Sequence, residues 1–319
     1  MADPLLIADI GGTNGRFALL NEDAGGLGPL HRVTLDQHAG IADAIRSFLD
    51  AHGGGRTPRG AVLAVAGPVS ANRARLTNRD WVVDGAEIAT ALGIGGGAVR
   101  VVNDFAAVSW SLPVLTRADL FALGGEDAAA EPEEAMAVLG PGTGLGVGAF
   151  LPPDRALVTE GGHASLAAHD AREAAVIEWL RARHGHVSAE RLLSGMGLEN
   201  IHAALAAIDG AAVPERDAAA VTETALSGAC AICHETLSMF CTVLGGVAGD
   251  LALLYGARGG VFIAGGIPPR FPEFLAASGF RARFEAKGRF RAWLRPVPTY
   301  LVTRPDAPML GLAALARRL

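Results

Sequence analysis

Two short segments carry the residue types that could bind phosphate groups. The first comprises Ala8, Asp9, Ile10, Gly11, Gly12, Thr13 and Asn14, and the second comprises Gly142, Thr143 and Gly144. Small residues in a turn let backbone amides approach a phosphate, while hydroxyl and amide side chains add donors and Arg16 adds a positive charge. Asp9 could hold Mg²⁺ through water. An ordinary glycine hairpin explains the first segment equally well when it is taken alone.

The glycine spacing excludes two common nucleotide-binding motifs. Neither segment contains the Lys-Ser/Thr pair of the phosphate loop, and the only lysine of the chain, Lys287, lies in another context. The glycines between Gly140 and Gly148 fall at every second position, which is not the dinucleotide fingerprint. The sequence therefore disfavours a dehydrogenase.

Asp104 is the candidate general base. Asn103 and Asp104 follow an apolar run, and Phe105 continues into a predicted helix. The amides at a helix start favour an ionised carboxylate, which could accept a proton from an attacking hydroxyl group. Local sequence alone favours a simpler role, because aspartate often caps a helix.

Three more polar residues suggest a binding site only in combination. Glu160 and His163 flank two glycines, and Glu190 follows Ser188 at a predicted helix start. Taken singly, the pair Glu160 and His163 fits a turn, and Glu190 fits an acidic residue in the first turn of a helix, where it complements the helix dipole.

The chain has three cysteines, Cys230, Cys233 and Cys241, which fall within one predicted helix. Cys230 and Cys233 are three positions apart, but no second pair with metal-ligand spacing follows, so we interpret these two as packing thiols and expect no zinc.

Composition limits the class of protein. The chain has 319 residues, enough for two lobes with a cleft, and a net charge of −6 with no basic patch that could follow a nucleic acid. No apolar run reaches the roughly 20 residues that cross a bilayer. The start, Met1 to Asp9, lacks the charge pattern of a secretory signal. We therefore expect a cytoplasmic protein with neither nucleic-acid nor membrane partners.

The elements that must position these residues follow a mixed α/β pattern. Apolar runs predict a strand, glycine turn and second strand over Leu5 to Leu20, and the same arrangement over Ala137 to Phe150. The two hairpins align at Gly12-Thr13 and Gly142-Thr143, which suggests two related lobes that each lend a turn to one ligand. Further predicted strands are 61–66, 99–102 and 299–302, and residues 260–266 are predicted as a buried strand that runs into a glycine turn. Predicted helices are 41–51, 84–92, 171–184, 189–193, 222–255 and 307–319.

Seven segments in order closely resemble the bacterial glucokinase family, a branch of the sugar kinase, actin and heat-shock ATPase fold. They are Asp9 to Asn14, Thr77 to Trp81, Asn103 to Phe105, Gly142 to Gly146, Glu160 to His163, His186 to Arg191, and Phe262 to Ile267. The resemblance spans nearly the whole chain.

The resemblance implies a two-lobed α/β fold of the actin-like, ribonuclease H-like type, with the active site in the cleft between lobes. It implies a small domain of residues 1–114 plus 303–319 and a large domain of residues 115–302. It also implies that glucose is phosphorylated by ATP with Mg²⁺, that Asp104 is the base, and that the phosphate turns are those described above. The sugar would be held by Asn103, Asp104, Glu160, His163 and Glu190, and the adenosine would be bordered by Gly265 and Gly266. The zinc-binding cluster of some relatives is absent, and we expect a homodimer.

Other functions stay open on sequence alone. A kinase for mannose or an N-acetylhexosamine would keep the phosphate turns and change only the sugar contacts. A sugar-sensing repressor would need an N-terminal DNA-binding helix pair, but the first strand begins by Leu5. A non-catalytic ATPase switch would lack the combination of Asn103-Asp104 with Glu160 to His163.

Overall fold

A computed structural model describes residues 3–20, 27–76, 79–125 and 133–319. It divides into two compact units, Met1–Leu115 with Pro305–Leu319, and Thr116–Arg304. Thr77 and Asn78, which contribute to one of the family-like segments, lie outside the described residues.

The described residues form a mixture of strands and helices. The strands are β1 Leu5–Ile10, β2 Asn14–Leu20, β3 His31–Thr34, β4 Gly60–Val65, β5 Arg73–Arg75, β6 Val82–Asp84, β7 Val99–Asn103, β8 Leu120–Gly124, β9 Met136–Pro141, β10 Leu145–Leu151, β11 Arg155–Thr159, β12 Gly260–Ile263 and β13 Thr299–Val302. The α-helices are α1 Ile41–His52, α2 Gly85–Leu92, α3 Asp104–Ser111, α4 Ala171–His184, α5 Gly195–Asp209, α6 Ala218–Leu226, α7 Ala231–Tyr255, α8 Pro272–Ala277, α9 Phe280–Glu285, α10 Arg291–Leu294 and α11 Ala307–Ala316.

The first unit is built on a five-stranded sheet of order β3-β2-β1-β4-β7. β1 and β2 form the predicted hairpin, while β1, β4 and β7 run parallel. Every residue of β4 is buried, which is the pattern expected for a strand covered on both faces. α11 packs so closely on α3 that a Cβ added at Gly311 would lie 1.8 Å from the Ala107 carbonyl oxygen. The parallel strands bring their carboxyl ends, Ile10, Val65 and Asn103, to one edge of the sheet.

The second unit is built on a six-stranded sheet of order β11-β10-β9-β12-β13-β8. β9 and β10 form the second predicted hairpin, and β12 runs parallel to β9. α7 is long and apolar enough to cross a bilayer, yet 61% of its most apolar window is buried in the structure. Its side chains, including Leu237, Phe240 and Leu244, belong to the hydrophobic core of this unit. α7 therefore has the properties of a core helix.

Two helix predictions were wrong in detail. The segment predicted as one helix over 222–255 is two helices, because α6 ends at Leu226 and Gly228 adopts a φ of +70° that a right-handed helix does not allow. Cys230 consequently lies outside the helical turns, as the N-cap of α7. The predicted helix over 189–193 is a single 3₁₀ turn, Ala189–Arg191.

Candidate active site

The first glycine turn joins β1 to β2 and is closed by a hydrogen bond from Gly11 N to Asn14 O of 3.0 Å. Its carbonyl groups are bound by neighbouring segments. The Thr13 carbonyl accepts from Leu35 N at 2.9 Å, and the Gly12 carbonyl accepts from Arg79 Nε at 2.8 Å. Fixing the carbonyl groups also fixes the peptide planes, and thus the directions in which the amides of this turn point.

Arg79 is a supporting residue to which sequence reasoning gave no individual role. Its guanidinium lies 4.4 Å from the centre of the Trp81 ring and also pairs with Asp36. The side chain is only 14% exposed. Arg79 and Gly12 are 67 positions apart, so no local pattern could have joined them. The only sequence signal for a role of Arg79 was its place in the family-like segment Thr77 to Trp81.

Asp9 and Arg16 face each other across the hairpin and form an ion pair. They are directly paired in register, and Arg16 Nη2 lies 2.6 Å from Asp9 Oδ2. Arg16 also donates to the Pro305 carbonyl at 3.2 Å. The sequence suggested Arg16 as a countercharge to phosphate, but its guanidinium is instead engaged by Asp9 and by the segment that leads into α11.

Asn103, rather than Asp104, caps α3. The Asn103 side-chain oxygen accepts from Phe105 N at 2.8 Å, and its amide group donates to the Gly67 carbonyl at 3.0 Å. Asp104 is the first residue of the helix, and its Oδ1 also accepts from Phe105 N, at 2.9 Å. The simple capping role considered for Asp104 therefore belongs to its neighbour. An amide group carries a second hydrogen, so Asn103 keeps a donor that could reach a hydroxyl group.

The first turn and Asp104 lie at the same edge of the first sheet. β1 leads into the turn, β7 leads into Asp104, and β4 lies between these two strands. Because neighbouring strands are about 4.8 Å apart, the two features are separated by about 10 Å across the sheet. That separation leaves room for a phosphate group and a hydroxyl group side by side.

The second glycine turn, in the other unit, is closed in a similar way, with Gly142 N donating to Gly144 O at 2.8 Å. Its support differs from that of the first turn. Glu190 Oε2 accepts from Leu145 N at 2.8 Å, and the Gly142 carbonyl accepts from Gly195 N at 2.9 Å. A Cβ at Gly144 would lie 2.5 Å from Glu190 Oε2. Glycine at this position therefore allows the Glu190 carboxylate to rest against the turn.

Glu190 also reaches toward His163. Its second oxygen, Oε1, lies 3.9 Å from His163 Nδ1, and the His163 side chain is 61% exposed. Residues 161–163 form a 3₁₀ turn that packs on β10, where a Cβ at Gly162 would lie 2.1 Å from the Leu145 carbonyl oxygen. Glu160 precedes this turn and is exposed. The structure thus brings Glu160, His163 and Glu190 to the same hairpin end as the second turn.

Gly265 and Gly266 follow β12 beside this second turn. Gly265 adopts a φ of +85°, and a Cβ there would lie 2.3 Å from the Pro141 carbonyl oxygen. That carbonyl accepts from Ile267 N at 3.3 Å. The two segments that sequence analysis assigned to phosphate and to adenosine are therefore neighbours within this unit.

Comparisons with known proteins agree over the length of the chain. The glucokinase family model matches residues 6–319. A glucokinase of Paramagnetospirillum magneticum is 44% identical over 321 residues, covering 99% of this chain and 98% of that protein. The chain belongs to the glucokinase family. The crystal structure of a glucokinase from an Antarctic psychrotroph is 37% identical, with a TM-score of 0.91 and full coverage of both chains.

More distant members share the fold. The ROK-family glucokinase of Streptomyces griseus, solved with glucose and AMPPNP, has a TM-score of 0.61 at 21% identity, covering 99% of this chain and 100% of that one. These comparisons confirm the predicted family and the predicted actin-like α/β fold class. Among the described residues, no group of three or more histidine, cysteine, aspartate or glutamate side chains could hold a metal ion.

Proposed function

We propose that the protein transfers the γ-phosphate of ATP to the 6-hydroxyl group of glucose, giving glucose 6-phosphate and ADP. The observation that carries this proposal is the shared edge of the first sheet, where a glycine turn and Asp104 lie about two strand spacings apart. Membership of the glucokinase family supports the same conclusion. A phosphate-binding turn beside a carboxylate is the arrangement that transfer to a hydroxyl group requires.

Asp104 is the proposed base. Phosphoryl transfer passes through a loose transition state, so the carboxylate needs only to orient the hydroxyl group and accept its proton late in the reaction. Asp104 Oδ1 accepts from Phe105 N, which fixes the orientation of the carboxylate at the start of α3. An aspartate of ordinary basicity is sufficient for this role.

The two glycine turns are proposed to bind the phosphate groups. In the first turn, Gly11 to Asn14, the carbonyl groups of Gly12 and Thr13 are already bound and Gly11 N closes the turn, so we assign phosphate binding to the other amides of the turn. In the second turn, Gly142 to Gly144, glycine permits close backbone approach. Gly265 and Gly266 are proposed to border the adenosine, because they adjoin this second turn.

Mg²⁺ is proposed to accompany the nucleotide. Asp9 Oδ2 is already paired with Arg16, so we expect Asp9 to bind Mg²⁺ through a water molecule rather than to coordinate the ion directly. Magnesium usually keeps several waters and binds one or two carboxylates together with substrate phosphates, where it neutralises developing charge. The hard oxygen of Asp9 fits that pattern.

Recognition of the sugar is assigned to Asn103, Asp104, Glu160, His163 and Glu190. The last three lie at one hairpin end, where Glu190 faces His163 at 3.9 Å. Carboxylate and imidazole groups match the several hydroxyl groups of a hexose, since each can accept or donate hydrogen bonds.

The two proposed lobes are residues 1–114 with 303–319 and residues 115–302. We further propose that the enzyme is a cytoplasmic homodimer.

The direct test is identification of the product. The purified protein is incubated with ATP, Mg²⁺ and glucose, and the products are followed by ³¹P nuclear magnetic resonance. We expect glucose 6-phosphate and ADP in equal amounts, with little ADP when glucose is omitted. ADP release that does not depend on a sugar would contradict the proposal and would favour an ATPase switch.

A kinase for another hexose is the alternative. The hydroxyl-binding groups named above do not by themselves select glucose over mannose or an N-acetylhexosamine. Product formation from one of those sugars, with no reaction of glucose, would replace the proposed substrate while keeping the reaction type.

A further inference from the structure

The Cys-x-x-Cys sequence at the start of α7 has a geometry that simple packing does not require. Cys230 is the N-cap of the helix, with extended backbone angles of φ −145° and ψ 119°. Its Sγ atom accepts a hydrogen bond from the Cys233 backbone N at 3.5 Å. An N-cap side chain turns back over the first helical turn, so the Cys230 sulfur is directed toward the residue three positions later. The Cys230 sulfur therefore lies next to the backbone of Cys233.

The two cysteines lie in different environments. Cys230 is half-buried, whereas Cys233 is fully buried. The pKa of Cys230 is lowered, chiefly by the hydrogen bond from the Cys233 backbone N. Burial, together with the Cys230 thiol, raises the pKa of Cys233 to about 11. A partly exposed sulfur with a lowered pKa thus precedes a buried sulfur with a raised pKa, an asymmetry found in dithiols that exchange disulfides.

Cys241 provides an internal contrast within the same helix. It is buried in the core of the second unit, and burial raises its pKa to about 12. Cys241 therefore has the properties of a packing thiol, the role that sequence analysis predicted for Cys230 and Cys233. The prediction treated Cys230 as a mid-helix residue, and the break in the helix at Gly228 changes that assignment.

We propose that Cys230 and Cys233 form a reversible redox pair that reacts with low-molecular-weight disulfides. The Cys230 thiolate attacks a disulfide RSSR, giving a Cys230–S–SR mixed disulfide and releasing RS⁻, which takes up a proton. Cys233 then loses its proton, and its sulfur attacks Sγ of Cys230 and expels the second RS⁻. The sum is protein dithiol plus RSSR giving protein disulfide plus two RSH, so the protein is oxidised by two electrons and the small disulfide is reduced.

The first experiment counts thiols in the folded full-length protein. The reduced protein is incubated with excess glutathione disulfide, quenched with acid, unfolded, alkylated and weighed by mass spectrometry. We expect the wild type to change from three alkylated thiols to one, with fragment spectra that link Cys230 to Cys233. Dithiothreitol should restore all three. Three thiols after oxidation, or a stable glutathione adduct without the internal link, would overturn the proposal.

Two variants make the assignment specific. Cys230→Ser keeps an oxygen that caps the helix, so the fold is retained while the attacking sulfur is removed. It should keep both remaining thiols reduced, whereas the matched control Cys241→Ala should lose both of its thiols. Oxidation of Cys230→Ser to the same extent as the wild type would refute the pairing. Stoichiometric zinc in the purified wild type, released on oxidation, would also refute it, because the pair would then be a metal site.

Discussion

The two glycine turns are each closed by a backbone hydrogen bond and each have a carbonyl group bound by a neighbouring segment, but the charged side chains that support them have opposite signs. In the turn at Gly11 to Asn14, the Gly12 carbonyl accepts from the cation of Arg79. In the turn at Gly142 to Gly144, the anion of Glu190 accepts from the amide of the following residue, Leu145. Arg79 has its other contacts in Asp36 and Trp81, while Glu190 extends toward His163.

This difference suggests that the two turns have different roles in the reaction. The described contacts of Arg79, which supports the first turn, are with Gly12, Asp36 and Trp81, and Asp104 lies at the same edge of the sheet as this turn. The second turn shares one carboxylate with the proposed sugar site. We therefore expect the first region to govern turnover and nucleotide binding, and the second to couple phosphate binding to sugar recognition.

The largest expected effect is that of Asp104→Asn. The amide keeps the size and the hydrogen bonding of the side chain but cannot accept a proton, so kcat should fall about a hundredfold or more. Glucose affinity, measured by calorimetry, should change little. Asp84→Asn is the matched control, because Asp84 caps α2 in the same unit and asparagine caps equally well. Near wild-type kcat in Asp104→Asn would show that another group is the base.

A pair of variants tests the division between the turns. Arg79→Ala removes the bond that fixes the partly buried Gly12 carbonyl and should raise the KM for ATP about tenfold, because a hydrogen bond to a charged group contributes about 1.5–3 kcal/mol. Glu190→Gln weakens the contact with His163 and should raise the KM for glucose by a similar factor. Steady-state kinetics with each substrate varied in turn gives both constants. Equal changes of the KM for ATP and the KM for glucose in both variants would contradict the different roles proposed for the two turns.

Sequence analysis predicted most of this fold because both hairpins have clear local signals in the sequence. Apolar runs broken by glycine at Gly11 and Gly142 specify strand, turn and strand, and the parallel strands are short apolar segments between turn residues. The supports of the turns could not be predicted in this way. Arg79 and Glu190 reach their turns across 67 and 45 positions, and such pairings depend on tertiary packing.

The cysteines show a second limit. An apolar, alanine-rich stretch from Thr222 to Tyr255 has continuous helical periodicity, so the break at Gly228 is invisible to a pattern that counts only apolar residues. A single glycine is tolerated inside helices, and here it instead ends one. The N-cap position of Cys230, and with it the proposed chemistry, follows from that one residue.

The smallest expected effect concerns stability in acid and serves to separate folding from catalysis. Hydrogen bonds from Thr116, and then the Arg304 guanidinium, lower the pKa of Asp119, which immediately precedes β8. A lowered pKa in the folded state stabilises the protein above the unfolded value of about 3.9, and this contribution is lost as pH falls through the folded pKa.

Asp119→Asn should therefore be less stable than the wild type near neutral pH, with a difference that shrinks below about pH 4. Denaturant unfolding at several pH values measures it. Neither KM should change, since Asp119 contacts none of the proposed site residues among its described bonds. A difference that is constant with pH would mean that packing, rather than charge, is responsible.

The measurement that tests the central claim most directly is kcat/KM with ATP for a panel of hexoses. Glucose is compared with galactose, mannose and N-acetylglucosamine under identical conditions. An inverted or blocked hydroxyl group leaves unpaired a protein group that the bound sugar covers, which costs about 1–3 kcal/mol, so glucose should lead each rival by about tenfold or more. A higher kcat/KM for any other sugar on the panel would contradict the assignment of glucose as the substrate.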